Sequence, residues 1–170
     1  MTPNIQFPWP NFVTQMMGVP WAIGLFIMEW GKHERHIASL ISTLQGRDYN
    51  DVRLELLDRQ IADYAKSLET ACGALPAGHA STPLIRQAVI EHRVLAQIRH
   101  DIVHGYWLGL NENQQIVMGR KRRGEPETSQ PFTVEQLLGC RDRLSALFVL
   151  IENTKRLYRG EVPLPERSSA

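Results

Sequence analysis

The sequence predicts an all-α protein: a bundle of four long helices with a small β-hairpin between the third and fourth. Long stretches carry apolar residues at helical spacing, and capping residues and glycines stand at their ends. Between the last two stretches the period changes, and aromatic and β-branched residues flank a polar turn. The chain has 170 residues, of which 43% are hydrophobic and 22% charged, as in an average folded domain. We therefore expect one helical-bundle domain over residues 1–160.

The two ends of the chain are predicted to lie outside the bundle. Proline lacks the backbone N–H of a helix interior, so Pro3, Pro8, Pro10 and Pro20 predict an extended N-terminal arm over residues 1–20. Residues 161–170 are expected to form a disordered tail. The apolar run Val19–Met28 is too short to cross a bilayer and ends at Glu29, so we expect no membrane contact.

The first predicted helix runs from Trp21 to about Leu44 and ends at Gly46. Its expected apolar face is made of Trp21, Leu25, Met28, Ile37, Leu40, Ile41 and Leu44. The second begins at a cap formed by Asn50 or Asp51 and runs to about Ala74. Its expected face is made of Leu54, Leu57, Ile61, Tyr64, Ala65 and Leu68.

The third helix has a strong start signal, a Thr82 cap followed by Pro83, and it ends at His104 before Gly105. The hairpin strands are predicted at 106–110 and 115–118. Thr133 and Gln136 then match the capping box that opens a helix, and the fourth helix runs from there to about Tyr158.

Charge and cysteine content limit the classes of function. The chain has 19 Lys and Arg against 18 Asp and Glu, a net charge of +1, so no global field draws it to nucleic acid. Fifteen of the 19 cations are Arg, the residue suited to phosphate contacts, so RNA binding would need a local patch. Cys72 and Cys140 are too few for a disulfide scaffold and show no metal spacing, which favours the cytosol.

Two polar residues fall on the apolar stripe of the third helix. At about 100° per residue, His92 and Arg99 share a face with Leu84, Ala88, Leu95, Ile98 and Ile102. We expect His92 to be a core or interface histidine with its hydrogen bonds satisfied. A buried guanidinium needs a partner, so Arg99 should face a carboxylate such as Glu29 or Glu34, a cleft or a subunit interface.

His100 and His104 lie one turn apart on the other side of this helix, and His104 stands in the last turn. The helix dipole favours an imidazolium there without any function. The residues also suit RNA cleavage without a metal, in which an imidazole moves protons and a cation steadies the phosphate oxygens. Arg99 and His104 point about 140° apart on an ideal helix, so a second copy of the chain would complete such a site.

The segment Arg99-His100-Asp101-Ile102-Val103-His104-Gly105 resembles the R-x-x-x-x-H signature of HEPN domains, the higher eukaryote and prokaryote nucleotide-binding helical bundles. The position at the end of a long helix, the apolar residues before the His and the Gly after it all agree with the family. His100 stands where the family more often has Asn. The expected fold is thus a HEPN-like bundle.

The resemblance implies a homodimer whose facing motifs form one composite cleft. It also implies metal-independent endoribonuclease activity, often in a toxin or defence effector, with Arg99 and His104 as catalytic residues and His100 beside them. Some toxin members extend the motif to R-x-x-x-x-H-x-Y, which Tyr106 matches, and there the Tyr is modified by a partner antitoxin. The alternative is a non-catalytic binding or interaction module of the same fold. No cofactor is expected.

Two further groups of residues are candidates for binding. Arg120, Lys121, Arg122 and Arg123 follow the hairpin and are either a site for an RNA backbone or solvated loop charge. His33 and His36, with His100 and His104, are an alternative metal site if the first and third helices bring them together. His100 and His104 lie away from the apolar stripe, which disfavours a site in the bundle core.

Overall fold

The computed structural model describes residues 9–59, 61–111, 115–120 and 128–164, and this part of the chain is mostly helical. It contains five helices: α1 (Trp9–Gln45), α2 (Tyr49–Leu57), α3 (Ile61–Gly73), α4 (Thr82–His104) and α5 (Val134–Tyr158). Three strands lie between α4 and α5: β1 (Tyr106–Leu110), β2 (Ile116–Arg120) and β3 (Thr128–Phe132).

The N-terminal arm is helical rather than extended from Trp9 onward, so that prediction is wrong for residues 9–20. Residues 1–8 lie outside the described residues. Pro10 falls in the first turn of α1, where the backbone N–H has no partner within the helix, so a proline is tolerated there. Pro20 lies inside α1 on its exposed side. The helix continues through it, and the lost backbone hydrogen bond is its cost.

The apolar face of α1 also differs from the prediction. Trp21 and Met28 are 57% and 61% exposed, whereas the buried positions are Val19, Ala22, Phe26, Trp30, His33, Ile37, Ala38, Leu40, Ile41 and Leu44. These positions recur every three or four residues, and His33 occupies one of them. The prediction is confirmed for Ile37, Leu40, Ile41 and Leu44. It is wrong for Trp21 and Met28, because it left Trp30 and His33 out of the core set.

The second predicted helix is divided into α2 and α3. Asp48 caps α2 by accepting hydrogen bonds from the backbone N–H groups of Asn50, at 2.8 Å, and Asp51, at 3.3 Å, so the cap precedes both predicted positions. Leu54 and Leu57 are exposed, and Val52 and Leu56 are buried instead. The break after Leu57 changes the rotation of the chain, which lets α2 and α3 each bury its own face.

The strands form an antiparallel sheet in the order β1-β2-β3, where the sequence predicted two strands. β3 was missed because Thr128, Ser129 and Gln130 are polar and Pro131 removes a donor. β3 is an edge strand, the place in a sheet where a proline is tolerated. The pairing of β1 with β2 is irregular between Trp107 and Gly109.

The sequence signal at the start of α5 is confirmed by the structure, whereas the residues after its end differ from the prediction. Thr133 Oγ1 accepts from the Gln136 backbone N–H at 3.2 Å, and Gln136 Oε1 accepts from the Thr133 N–H at 2.9 Å, which confirms the capping box. Gly160, at φ 73°, ends the last turn. Residues 161–164 are held by α5, because Asn153 Oδ1 accepts from the Leu164 N–H at 2.7 Å. The expectation of disorder is wrong for them, and residues 165–170 lie outside the described residues.

The chain divides into two compact units, one formed by residues 1–27 and 99–141 and the other by 28–98 and 142–170. The first unit contains the sheet and a core that includes Val19, Phe26, Ile102 and Leu137. The second contains α2, α3 and a larger core that includes Ile37, Leu68, Leu95 and Ile151. Among the described residues, no helix has a stretch long and apolar enough to span a membrane.

Two glycines of α1 in the first unit provide a matched test of helix packing. A Cβ on Gly18 would lie 2.9 Å from Val134 Cγ2, whereas a Cβ on Gly24 would meet nothing within 4 Å. We expect Gly24→Ala to stabilise the protein by about 0.5–1 kcal/mol, because alanine has the higher helix propensity. We expect Gly18→Ala to destabilise it by about 1 kcal/mol, because the stiff Val134 side chain must move. Urea unfolding of both variants measures the difference, and equal shifts would contradict it.

Candidate functional site at the end of α4

The sequence-predicted site residues Arg99, His100 and His104 all lie in the last two turns of α4, within the first unit. Arg99 is half-buried, and its Nε is buried without a hydrogen-bond partner among the described residues. A buried donor that lacks an acceptor costs about 1–3 kcal/mol, so such atoms are rare in folded proteins. The described residues thus leave this one donor of the guanidinium without an acceptor.

His100 and His104 are exposed, and their rings lie against each other with centroids 4.6 Å apart and planes inclined at 48°. The one-turn spacing produces this contact, since residues four apart on a helix are neighbours. The helix ends directly after His104, where the Gly105 N–H donates to the Asp101 carbonyl at 2.8 Å. Two adjacent imidazoles at an open helix end can exchange protons with a bound ligand.

The neighbouring candidates are placed less completely. Tyr106 is the first residue of β1, pairs with Gly119 and is 40% exposed. Arg120 is the last residue of β2 and pairs with Thr128. Lys121, Arg122 and Arg123 lie outside the described residues, so the RNA-backbone patch remains a prediction.

The carboxylates expected beside Arg99 bind other groups. Glu29 forms an ion pair with Lys32 at 2.6 Å, and Glu34 accepts a hydrogen bond from Trp30 Nε1 at 2.6 Å. Both pairs join residues of one helix turn on α1, a spacing that brings side chains together without any help from the rest of the fold. Of the three predicted environments for Arg99, a cleft and a subunit interface are the two left open.

A second polar cluster, not predicted from the sequence, lies in the core of the second unit. His33 on α1 and His92 on α4 are 2% and 0% exposed, and His33 Nε2 lies 2.9 Å from His92 Nδ1. His92 Nε2 lies 3.3 Å from the Ile61 carbonyl oxygen on α3. The expectation that His92 is a core histidine with hydrogen-bond partners is confirmed. We call these two imidazoles and the Ile61 carbonyl the histidine chain.

The Ile61 carbonyl oxygen, at one end of the histidine chain, determines the direction of its hydrogen bonds. A carbonyl oxygen only accepts, so His92 Nε2 carries a proton and donates to Ile61. A neutral imidazole has one N–H, so His92 Nδ1 is an acceptor, and His33 Nε2 must donate to it. His33 Nδ1 is then an unprotonated acceptor. It is buried and has no hydrogen-bond partner among the described residues.

The surroundings keep both imidazoles neutral. Aromatic rings pack around them, with the Trp30 centroid 5.3 Å from His33 and 5.4 Å from His92, and Tyr64 6.3 Å from His92. Burial lowers the pKa of His92 to about 4, although the bond to Ile61 acts in the opposite direction. Burial and then the neighbouring His92 lower the pKa of His33 well below its ordinary value.

The metal alternative is not supported by the described residues. His33 hydrogen-bonds to His92 and does not form a set of metal ligands with His36. In the described ranges, no three His, Cys, Asp or Glu side chains are close enough to hold an ion. His36 lies instead against Phe148, with ring centroids 4.4 Å apart, and 3.9 Å from Glu152. Cys72 and Cys140, both within the described residues, do not form a disulfide bond.

One signal in the sequence points to the histidine chain. His33 and His92 each stand at a position of their helix where the three-and-four-residue repeat of buried residues requires a core side chain. A polar residue at a core position needs a hydrogen-bond partner, since an unpaired buried group is costly. Two such residues on different helices are therefore candidates to hydrogen-bond each other. The spacing of buried residues within each helix does not show which turn of α1 packs against which turn of α4.

Comparison with known proteins found no matching family model, no matching curated protein and no matching solved structure.

The histidine chain predicts a loss of stability in acid. His92 titrates near 6.5 when unfolded and near 4 when folded, so its contribution is complete above pH 6.5 and is lost as the pH falls toward 4. For His92 the loss is about 1.4 kcal/mol per pH unit in this range, and the lowered pKa of His33 adds a loss of the same sign. Urea unfolding at pH 7 and pH 5 measures it.

The matched control for that measurement is the double variant His33→Leu with His92→Leu, which removes both partners together. We expect its free energy of unfolding to fall less between pH 7 and pH 5, by about 2 kcal/mol for the removal of His92 and by a further amount for the removal of His33. Equal losses for the double variant and the natural protein would contradict the prediction.

Proposed function

We propose that this protein is a HEPN-like endoribonuclease that cleaves RNA without a metal ion and acts as a homodimer. The observation that carries the proposal is the contact between the exposed rings of His100 and His104 at the end of α4. RNA cleavage needs one group to remove a proton and another to supply one. Two imidazoles side by side can meet that need, because an imidazole both accepts and donates a proton.

The proposed reaction is transfer of the phosphate to the neighbouring ribose hydroxyl. One imidazole takes the proton from the 2′-hydroxyl while its oxygen forms a bond to phosphorus. The bond from phosphorus to the 5′ oxygen breaks, and an imidazolium gives that oxygen a proton. The products are a 2′,3′-cyclic phosphate and a 5′-hydroxyl, and no further reactant is required. His104 is the first candidate for the general acid and base, with His100 as its neighbour.

Arg99 supplies the positive charge in this proposal. Negative charge builds up on the phosphate oxygens as the new bond forms, and a guanidinium held in place stabilises it. The buried, unpartnered Nε of Arg99 supports the assignment, because a phosphate oxygen would provide the missing acceptor. The offset of about 140° between Arg99 and His104 around the helix supports a cleft in which a second copy contributes one of the two.

A role as a toxin or defence effector agrees with this chemistry. Tyr106 follows His104 by two residues and is 40% exposed, so it is the candidate target for modification by an antitoxin. The alternative function is a non-catalytic interaction module. The orphaned Arg99 Nε favours it too, since a carbonyl or carboxylate of a second copy is as good an acceptor as a phosphate.

The cleavage experiment uses a fluorescent structured RNA incubated with the full chain in EDTA. We expect cleavage products that end in 2′,3′-cyclic phosphate. His104→Ala should slow cleavage by about 100-fold or more, the usual contribution of a general acid or base. Arg99→Ala should have a similar effect, because it removes charge stabilisation in the transition state.

Arg86→Ala is the matched control, because Arg86 is an exposed arginine of the same helix, and it should cleave at the natural rate. The unfolding midpoint of each variant shows whether it is folded. Intact RNA at high protein concentration, or cleavage by the His104→Ala and Arg99→Ala proteins at the rate of the natural protein, would refute the enzymatic function.

The solution mass distinguishes the interaction module from the enzyme. If Arg99 holds two copies together, Arg99→Ala should convert a dimer into a monomer in light scattering at micromolar concentration. If it acts on phosphate, the dimer should remain while cleavage is lost. A monomeric natural protein would contradict both.

A further inference from the structure

A cavity of about 980 Å³ lies in the second unit, separate from the residues of the proposed ribonuclease site. α1, α4 and α5 each contribute to its lining. Most of its wall is apolar and includes Leu84, Leu144, Phe148 and Val149. Its volume is at the upper end of the range of small-molecule sites, which typically combine such walls with a few placed polar groups.

His33 is the polar group that makes this cavity more than a surface groove. It lines the cavity, although the side chain is 2% exposed. Its Nε2 donates to His92, which does not line the cavity, so the ring is held from behind at a fixed orientation. Its Nδ1 is a buried acceptor without a partner among the described residues. A ring held by its far nitrogen, with the near nitrogen unprotonated, is the usual arrangement of a ligand-binding histidine.

The charge of the site selects the ligand. Burial holds the His33 imidazole in its neutral form, and a lone pair at Nδ1 repels an anion. Lys32, the cation on the wall, is already paired with Glu29. A metal ion lacks further ligands, since no set of three metal-binding side chains comes together in the described part of the chain. What remains is a neutral molecule with an N–H or O–H to donate.

We propose that this cavity binds a neutral, largely apolar small molecule that donates an O–H or N–H hydrogen bond to His33 Nδ1. The apolar wall covers the body of the ligand, and the exposed part of the Phe148 ring is available for stacking. Glu29 lies four residues before His33 on the same side of α1, and its carboxylate is about one-third exposed. Because Nδ1 is buried, binding requires a side chain of the wall to move, and Glu29 and Lys32 line the cavity within four residues of His33.

The experiment titrates the full-length, ¹⁵N-labelled protein with three probes that share an aromatic ring. Phenol carries a donor, anisole has that donor methylated, and benzoate is an anion. Long-range ¹H–¹⁵N correlation spectra report the protonation of each imidazole nitrogen, and the His33→Gln spectrum assigns the His33 signals. The free protein should show protonated Nε2 in both His33 and His92. Phenol should shift the His33 Nδ1 signal and bind about tenfold more tightly than anisole or benzoate.

Ala146→Phe supplies the control for position, because Ala146 lines the cavity on an exposed turn of α5. It should abolish phenol binding and leave the His33 and His92 signals of the free protein unchanged. Equal binding of phenol and anisole, or a proton on His33 Nδ1 in the free protein, would overturn the proposal without any variant. Phenol binding that survives Ala146→Phe would also overturn it. None of these results depends on RNA cleavage.

Discussion

The histidine chain is the interaction on which the second unit depends. Three helices meet in it, because His33 lies on α1, His92 on α4 and the Ile61 carbonyl on α3. Apolar packing stabilises these helices over a range of rotations, whereas the hydrogen bonds form at only one rotation of each helix. Shifting α1 by one residue turns His33 by about 100° and leaves a buried nitrogen of His92 unpaired, at a cost of about 1–3 kcal/mol. The histidine chain thus fixes the rotation of helices that apolar contacts alone would fix less tightly.

Other contacts of the second unit reinforce the same arrangement further along the helices. Lys155 on α5 donates to Ser39 on α1 at 3.2 Å, and the Tyr158 hydroxyl donates to the Leu44 carbonyl at 3.4 Å. Arg143 on α5 pairs with Glu91 on α4 at 2.5 Å. The Arg143 and Glu91 side chains are 42% and 29% exposed, so their pair is worth less than a buried bond, whereas Lys155 is itself buried. The first unit relies instead on the close approach of Gly18 to Val134 and on the capping box at Thr133.

The parts of the fold that sequence reasoning predicted are those set by neighbours along the chain. The capping box of Thr133 and Gln136, and the glycine stops at Gly46 and Gly160, need only a few adjacent residues. The division into α2 and α3 and strand β3 depend on contacts with distant segments, which outweigh local propensity. The start of α1 at Trp9, in spite of Pro10 and Pro20, was also not predicted. In the candidate site, the contact between His100 and His104 follows from their spacing. The pairing of His33 with His92 joins residues 59 positions apart, so no local pattern contained it.

Strand β3 has a consequence for how this protein meets other chains. Pro131 lies opposite Val117 on one edge of the sheet, and the irregular pairing between Trp107 and Gly109 disturbs the strand at the other edge. A proline and a bulge both prevent a further strand from continuing a hydrogen-bonded ladder. Both edges of the sheet are therefore poor templates for a further strand, which disfavours the edge-to-edge stacking that leads to aggregation. A partner that binds the first unit gains little from pairing with the backbone of either edge.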